Sequence, residues 1–126
     1  LADALLTPHP SYHRELEAAF AIPGVRVVAH INGGGLEENV PRVLPDHVGA
    51  RFEIGAWTVP PVFAVIAKDQ HVDPAEMYRV FNMGVGMIAV VATDRVDGVL
   101  ETLTRSRESP WVMGEIVAGS GVRYAV

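Results

Sequence analysis

The chain has 126 residues, enough for one domain that buries about two-thirds of the surface exposed in its unfolded form. It contains no cysteine, which excludes disulfides, a thiolate nucleophile and cysteine-based zinc sites, and favours a reducing compartment such as the cytoplasm. A formal net charge of -5 without a basic stripe argues against nucleic acid as a partner, and the longest apolar run is about half of the ~20 residues that a membrane-spanning helix needs.

The first residues have the pattern of a linker between two domains. The chain begins without methionine, and Pro8 and Pro10 each favour extended backbone in the residue before them. We therefore assign residues 1–9 to the end of an interdomain linker and residues 10–126 to one domain of a longer protein.

Helix-like and strand-like periods alternate along the first half of this domain. Apolar residues at helical spacing predict a helix over residues 11–20, and a shorter helix is expected over residues 62–68. Runs rich in β-branched residues and bounded by Gly or Pro predict strands over residues 25–31 and 50–54. The chain has no internal repeat and no low-complexity segment.

Two helices in the second half have sequence signals at their start. Asp73 is expected to cap a helix over residues 74–81, and Glu76 completes an arrangement similar to a capping box. A helix over residues 94–105 is expected to begin at Asp94 as its cap. Its buried face is predicted from apolar residues at positions i, i+3, i+4 and i+7, which are Val96, Val99, Leu100 and Leu103.

Three further strands are predicted over residues 87–92, 111–117 and 122–126. The first of them is apolar on both faces, which is typical of a central strand covered by helices on each side. The expected class is therefore α+β (mixed α/β), with a layered sheet covered by helices.

The most informative stretch is residues 30–45, HINGGGLEENVPRVLP, where an apolar strand leads into a short helix through three glycines: Gly33, Gly34 and Gly35. Glycine tolerates positive φ and lets a ligand approach the backbone, so such a turn presents unpaired amide N–H groups to an anion. This pattern favours phosphate binding. The alternative is a tight turn without a ligand, and Glu37 and Glu38 compete with an anion for the positive end of the helix.

Residues around the triplet each allow two interpretations. Arg42 is suited to bind a phosphate, or it pairs with Glu38 four residues earlier on a helix. Asn39 either caps the helix or contacts a ligand. His30 is favoured as a hydrogen-bonded structural residue, and no catalytic residue is assigned. The histidines show no spacing typical of a metal site, so no metal ligand is expected.

Two motifs carry a resemblance to a known family. Residues 30–45 and residues 76–87, EMYRVFNMGVGM, resemble the C-terminal domain of aminoimidazole ribonucleotide synthetase, also called phosphoribosylformylglycinamidine cyclo-ligase. The resemblance extends over essentially the whole chain. Asn32 stands where the family commonly has Thr, and Met83 where it commonly has Cys, so a hydrogen bond of the Thr hydroxyl must come from the Asn32 amide.

The resemblance implies an ATP-dependent enzyme of purine biosynthesis. The family converts formylglycinamidine ribonucleotide to aminoimidazole ribonucleotide, ADP and phosphate, with the formyl amide oxygen activated as a phosphate ester before the amidine nitrogen attacks. It also implies that ATP and Mg²⁺ bind mainly in an N-terminal domain absent from this chain, which mediates homodimerisation. The fragment alone is expected to be inactive, and it has no Gly-x-x-x-x-Gly-Lys-Ser/Thr motif.

Six residues are predicted to contact the ribonucleotide substrate or its phosphate: Asn32, Gly33, Gly34, Gly35, Asn39 and Arg42. The alternative functions are a sibling two-domain ATP-dependent enzyme, such as selenophosphate synthetase or thiamine monophosphate kinase, and a non-catalytic ligand-binding module. The length of the motif over residues 30–45 favours the cyclo-ligase.

Overall fold

The computed structural model describes residues 1–106 and 109–126. Within these residues the chain forms six α-helices: α1 (Ala2–Leu6), α2 (His13–Phe20), α3 (Gly35–Asn39), α4 (Pro61–Gln70), α5 (Pro74–Val80) and α6 (Val96–Arg105). The same residues form five strands: β1 (Val25–His30), β2 (Val48–Glu53), β3 (Met87–Val91), β4 (Gly114–Ala118) and β5 (Gly121–Ala125).

The described strands form two sheets. In the first, β1 and β3 pair antiparallel, from Val25 opposite Val91 to His30 opposite Met87. In the second, β2 lies in the centre, antiparallel to β4 on one side and parallel to β5 on the other. Helices and small mixed sheets together make an α+β domain, so the fold class predicted from the sequence is confirmed.

The prediction that residues 87–92 form a central strand with helices on both sides is wrong. Among the described strands, β3 pairs with β1 alone. Ile88 is buried, whereas β3 as a whole lines an apolar cleft of about 560 Å³ together with α6 and residues 110–116. An apolar run indicates that a strand meets apolar atoms on both faces, but it does not distinguish a helix layer from an open cleft.

The central strand of the larger sheet, β2, alternates between core and solvent. Ala50 and Phe52 are buried, while the Arg51 guanidinium is partly exposed, 2.9 Å from the Glu115 carboxylate and 3.3 Å from that of Glu53. The core around β2 is completed by residues of β1, of β3 and the segment just before it, and of the glycine motif over residues 30–45: Ala29, Ile31, Leu36, Val40, Val85 and Ile88. Because Leu36 and Val40 belong to the motif, packing of the core positions it.

The predicted helices over residues 11–20, 62–68 and 74–81 are confirmed as α2, α4 and α5, with ends that differ by at most two residues. The Asp73 carboxylate caps α5 as predicted, since it accepts a 2.8 Å hydrogen bond from the N–H of Ala75. The Glu76 carboxylate instead accepts hydrogen bonds of 2.8 and 2.9 Å from Arg79, so the capping-box prediction is wrong.

Two other starts differ from the predictions. Asp94 does not cap α6, because a 3₁₀ turn over Thr93–Arg95 precedes that helix and Arg95 takes the cap position. The strand predicted from residue 111 begins at Gly114, because its partner β2 ends opposite that residue. The last hydrogen bond between the two strands runs from the N–H of Glu53 to Met113 O, at 2.9 Å. The remaining predicted strands agree with β1, β2, β3 and β5 to within two residues.

The start of the chain includes a helix that the sequence did not indicate. Every residue of α1 is exposed, and Thr7 has the extended backbone expected before Pro8. The assignment of residues 1–9 to an interdomain linker stays a prediction.

Candidate functional site

The glycine triplet forms the turn between β1 and α3. The preceding Ile31 is fully buried, and its N–H donates to Gly86 O at 2.9 Å, which ties the end of β1 to the segment before β3. Gly34 and Gly35 have φ values of 92° and 57°, a region that disfavours any residue with a Cβ. The backbone path itself therefore requires glycine at two of the three positions.

Close packing against the end of α5 gives a second reason for these glycines. A Cβ on Gly35 would lie 2.8 Å from Phe81 O and would collide with Tyr78 O. The N–H of Gly34 donates to Val80 O at 3.2 Å, which satisfies a carbonyl group at the end of α5. The turn is thus partly a docking element for that helix.

The expectation that the triplet presents unpaired N–H groups is wrong for two of the three glycines. The N–H of Gly34 is used at Val80, and that of Gly35 donates to Asn32 O at 3.1 Å. The N–H of Gly33 donates no hydrogen bond within residues 1–106 and 109–126, and a Cβ at Gly33 would have no atom within 4 Å. Gly33 is therefore where the turn is open to a ligand.

Asn39 holds the turn in place from inside α3. It is 6% exposed, and its Nδ2 donates to Gly35 O at 2.8 Å, to Gly33 O at 3.2 Å and to Asn32 O at 3.4 Å. The Asn39 side chain thus organises the backbone of the turn from within the fold.

Arg42 and Glu38 lie at the rim of the turn. The Arg42 Nη2 is 3.5 Å from the Glu38 carboxylate, an exposed ion pair of the kind that contributes little stability. Its Nη1 lies 3.4 Å from Asn39 Oδ1, and the Glu38 carboxylate folds back over Gly34. The structure thus brings all six predicted residues into one cluster, but places a carboxylate beside the expected position of an anion.

A second polar cluster lies at the end of β1. The Nε2 atoms of His30 and His9 are 3.4 Å apart, and the ring of His9 contacts that of Tyr12 edge-on at 5.6 Å between centroids. The hydroxyl of Tyr12 packs against Gly86, where a Cβ would collide with it. Sequence spacing did not indicate the pair of histidines, because 21 residues separate its members and only the fold brings them together.

Two tyrosines pack together behind the turn. Burial raises the pKa of Tyr124, with smaller contributions from the negative charge of Glu37 and from Tyr78, and burial also raises the pKa of Tyr78. The centroids of the Tyr78 and Tyr124 rings are 5.3 Å apart. The Tyr124 hydroxyl is buried and has no hydrogen-bond partner among the described residues.

The described residues contain neither a cluster of metal ligands nor a membrane-spanning helix. Across residues 1–106 and 109–126, no group of three or more His, Asp or Glu side chains is arranged to hold a metal ion. In the same residues, no helix has the length and apolar character to span a membrane.

Residues 1–126 match the family described as AIR synthase related protein, C-terminal domain. Two similar curated proteins are both named phosphoribosylformylglycinamidine cyclo-ligase. That of Bifidobacterium animalis subsp. lactis (strain AD011) is 46% identical over 93% of this chain and 34% of its own length. That of Sorangium cellulosum (strain So ce56) is 44% identical over 98% of this chain and 36% of its own length. The chain thus spans about a third of these relatives.

Two crystal structures of E. coli HypE are similar to this fold. One aligns with a TM-score of 0.68 over 93% of this chain and 36% of the HypE chain. The other, in which HypE is described as a hydrogenase maturation protein, aligns with a TM-score of 0.67 over 91% of this chain and 35% of the HypE chain. Both are 20% identical to this chain, so they show the fold alone. The match over all 126 residues confirms the resemblance of the two sequence motifs, and the chain belongs to the AIR synthase related protein family, as a C-terminal domain.

Proposed function

We propose that this chain is the C-terminal wall of the active site in an ATP-dependent phosphoribosylformylglycinamidine cyclo-ligase of de novo purine biosynthesis. The observation that carries the proposal is the identity of 43 to 46% with proteins of that name, over at least 93% of this chain. The reaction would close the imidazole ring of aminoimidazole ribonucleotide, and the former formyl oxygen would leave with phosphate.

The proposed role of this chain is to bind the ribonucleotide phosphate at the glycine turn. The N–H of Gly33 has no partner among the described residues, the space above its Cα is open to them, and Arg42 supplies a positive charge at the rim. An incoming phosphate would displace the Glu38 carboxylate, since the two negative groups repel, and would take over its ion pair with Arg42. Gly34, Gly35, Asn32 and Asn39 would shape the turn.

In the family that this chain resembles, Mg²⁺ binds mainly in the N-terminal domain. Within residues 1–106 and 109–126, no group of three or more His, Asp or Glu side chains is arranged to hold a metal ion, which is consistent with that division. We therefore place the ATP and Mg²⁺ sites mainly in the part of the protein that precedes residues 1–9, and expect that part to form the homodimer contact. A cytoplasmic location follows from the proposed pathway.

The test uses the full-length protein that contains this chain. It is given ATP, Mg²⁺ and formylglycinamidine ribonucleotide, and both ADP release and the product mass are measured. Substrate-dependent ADP release with a product that has lost one water relative to the substrate supports the proposal. A folded protein that shows no turnover would exclude it and would favour a sibling ATP-dependent enzyme or a binding module without catalysis.

A further inference from the structure

His9 and His30 face each other through a long contact between ring nitrogens, which is at the far limit of a hydrogen bond. Their Nε2 atoms are 3.4 Å apart, their ring centroids are 4.9 Å apart, and their planes are inclined by 89°. A straight N–H···N bond at that length would place the rings end to end, with centroids more than about 5.5 Å apart. The contact between the two nitrogens is therefore bent, a geometry that two imidazoles also adopt when they bind one shared ion.

The distance between the two nitrogens matches a shared metal ion. Zinc binds imidazole nitrogen at about 2.0–2.1 Å in tetrahedral geometry, which separates two ligand nitrogens by about 3.4 Å. This is the separation observed between the Nε2 atoms of His9 and His30.

The other nitrogen of His9 is held in the manner of a metal ligand. Its Nδ1 lies 3.0 Å from Pro10 O, and a carbonyl oxygen can only accept, so Nδ1 carries the hydrogen. In a neutral ring this leaves a lone pair on Nε2, the atom that faces His30. Metal-binding histidines are commonly fixed by such a bond from their second nitrogen to a backbone carbonyl.

We propose that His9 and His30 form a binding site for a divalent transition metal, with water in the remaining positions. Imidazole ligands favour Zn²⁺, Ni²⁺ or Cu²⁺ over Mg²⁺, so this site is separate from the magnesium chemistry of ATP. Both side chains are exposed, which leaves the site open to solvent. The ion would join the segment before α2 to the end of β1, three residues before Gly33, and would stabilise the fold.

The test measures zinc binding to the 126-residue chain by isothermal titration calorimetry, with Mg²⁺ as the comparison ion. Mutation of a residue that only hydrogen-bonds to a metal ligand typically lowers metal affinity by about 10–100-fold. Removal of a ligand itself, in His9→Ala or His30→Ala, should therefore weaken zinc binding at least about tenfold. His47→Ala is the matched control, because His47 is an exposed histidine away from the pair, and it should bind zinc like the unchanged chain.

A thermal melt provides the second readout. Zinc should raise the Tm of the unchanged chain and of His47→Ala, but should not raise the Tm of either pair variant, because only a ligand bound to the folded state stabilises it. Melts without zinc establish that each variant is folded. The proposal is overturned if the unchanged chain does not bind zinc, or if the variants of the pair bind it as tightly as the control.

Discussion

The side-chain amide of Asn39 donates a 2.8 Å hydrogen bond to the carbonyl oxygen of Gly35, four residues earlier. The same nitrogen also reaches Gly33 O and Asn32 O, so one buried side chain holds three carbonyl groups of the glycine turn. The shape of the candidate phosphate site therefore depends on a residue inside the helix that follows it.

We expect Asn39→Asp to destabilise the chain by about 1–3 kcal/mol, because a carboxylate has no hydrogen to donate and the turn carbonyls would lose their partner. Urea unfolding measures the change. Gln70→Glu also removes an amide donor, one that bonds the Asp69 carboxylate at an exposed position, and should lower the stability much less. Equal midpoints for Asn39→Asp and the unchanged chain would contradict the role of Asn39.

Gly33→Ala should leave the chain folded but weaken its use of the ribonucleotide. Gly33 has no positive φ and its Cβ would meet no atom, yet the added methyl would stand where the ligand approaches. A displacement of about 1 Å at a positioning group can cost up to about 100-fold in rate, so we expect kcat/KM of the full-length protein to fall at least tenfold.

The control for Gly33→Ala is Gly55→Ala, which also adds a methyl into open space, in the 3₁₀ turn over Ile54–Ala56. Both variants should unfold at similar urea concentrations, and only Gly33→Ala should lose activity. Unchanged kinetics for a folded Gly33→Ala protein would exclude ligand approach at this position.

Arg42→Ala should lower kcat/KM of the full-length protein with little effect on stability, because its ion pair with Glu38 is exposed while its charge is proposed to bind phosphate. Arg105→Ala is a matched comparison, since Arg105 forms an exposed ion pair with Glu101, four residues earlier on α6. Steady-state kinetics of both variants against the ribonucleotide provide the measurement. If both lose the same activity, Arg42 has no special role in binding.

Tyr124→Phe should leave the chain as stable as before or make it more stable by up to about 1 kcal/mol, because it removes a buried hydroxyl without a partner among the described residues. Removing the whole ring in Tyr124→Ala should instead cost about 3–5 kcal/mol through the lost packing. Urea unfolding of both variants checks this. A loss of stability in Tyr124→Phe would mean that the hydroxyl is hydrogen-bonded.

Stability should fall as the pH rises above about 10, the ordinary pKa of tyrosine. The pKa of Tyr124 is raised in the folded chain by burial, so the unfolded chain releases this proton first and alkaline pH favours unfolding. Tyr124→Phe should reduce this pH dependence, and the remainder should include Tyr78, whose pKa is also raised by burial. The measurement is the free energy of unfolding of both proteins between neutral pH and pH 11. If Tyr124 does not contribute, Tyr124→Phe and the unchanged chain will show the same dependence on pH.

The amino-acid sequence by itself determined five of the six described helices, most strand positions, the α+β class and the family. These follow from local signals: the cap at Asp73, the apolar spacing in α6, and the glycine motif, which is specific because few backbone paths require two glycines of positive φ. Such signals act between residues close in the chain, so they can be read without the fold.

Only the tertiary structure decided which groups are free and which meet. The N–H of Gly34 is occupied because the turn docks on α5, and the pairing of His9 with His30 joins residues far apart in sequence. The place of β3 in a two-stranded sheet beside an apolar cleft likewise depends on where the other strands lie. Hydrogen-bond partners and packing distances depend on contacts between distant segments, and no local pattern in the sequence encodes them one by one.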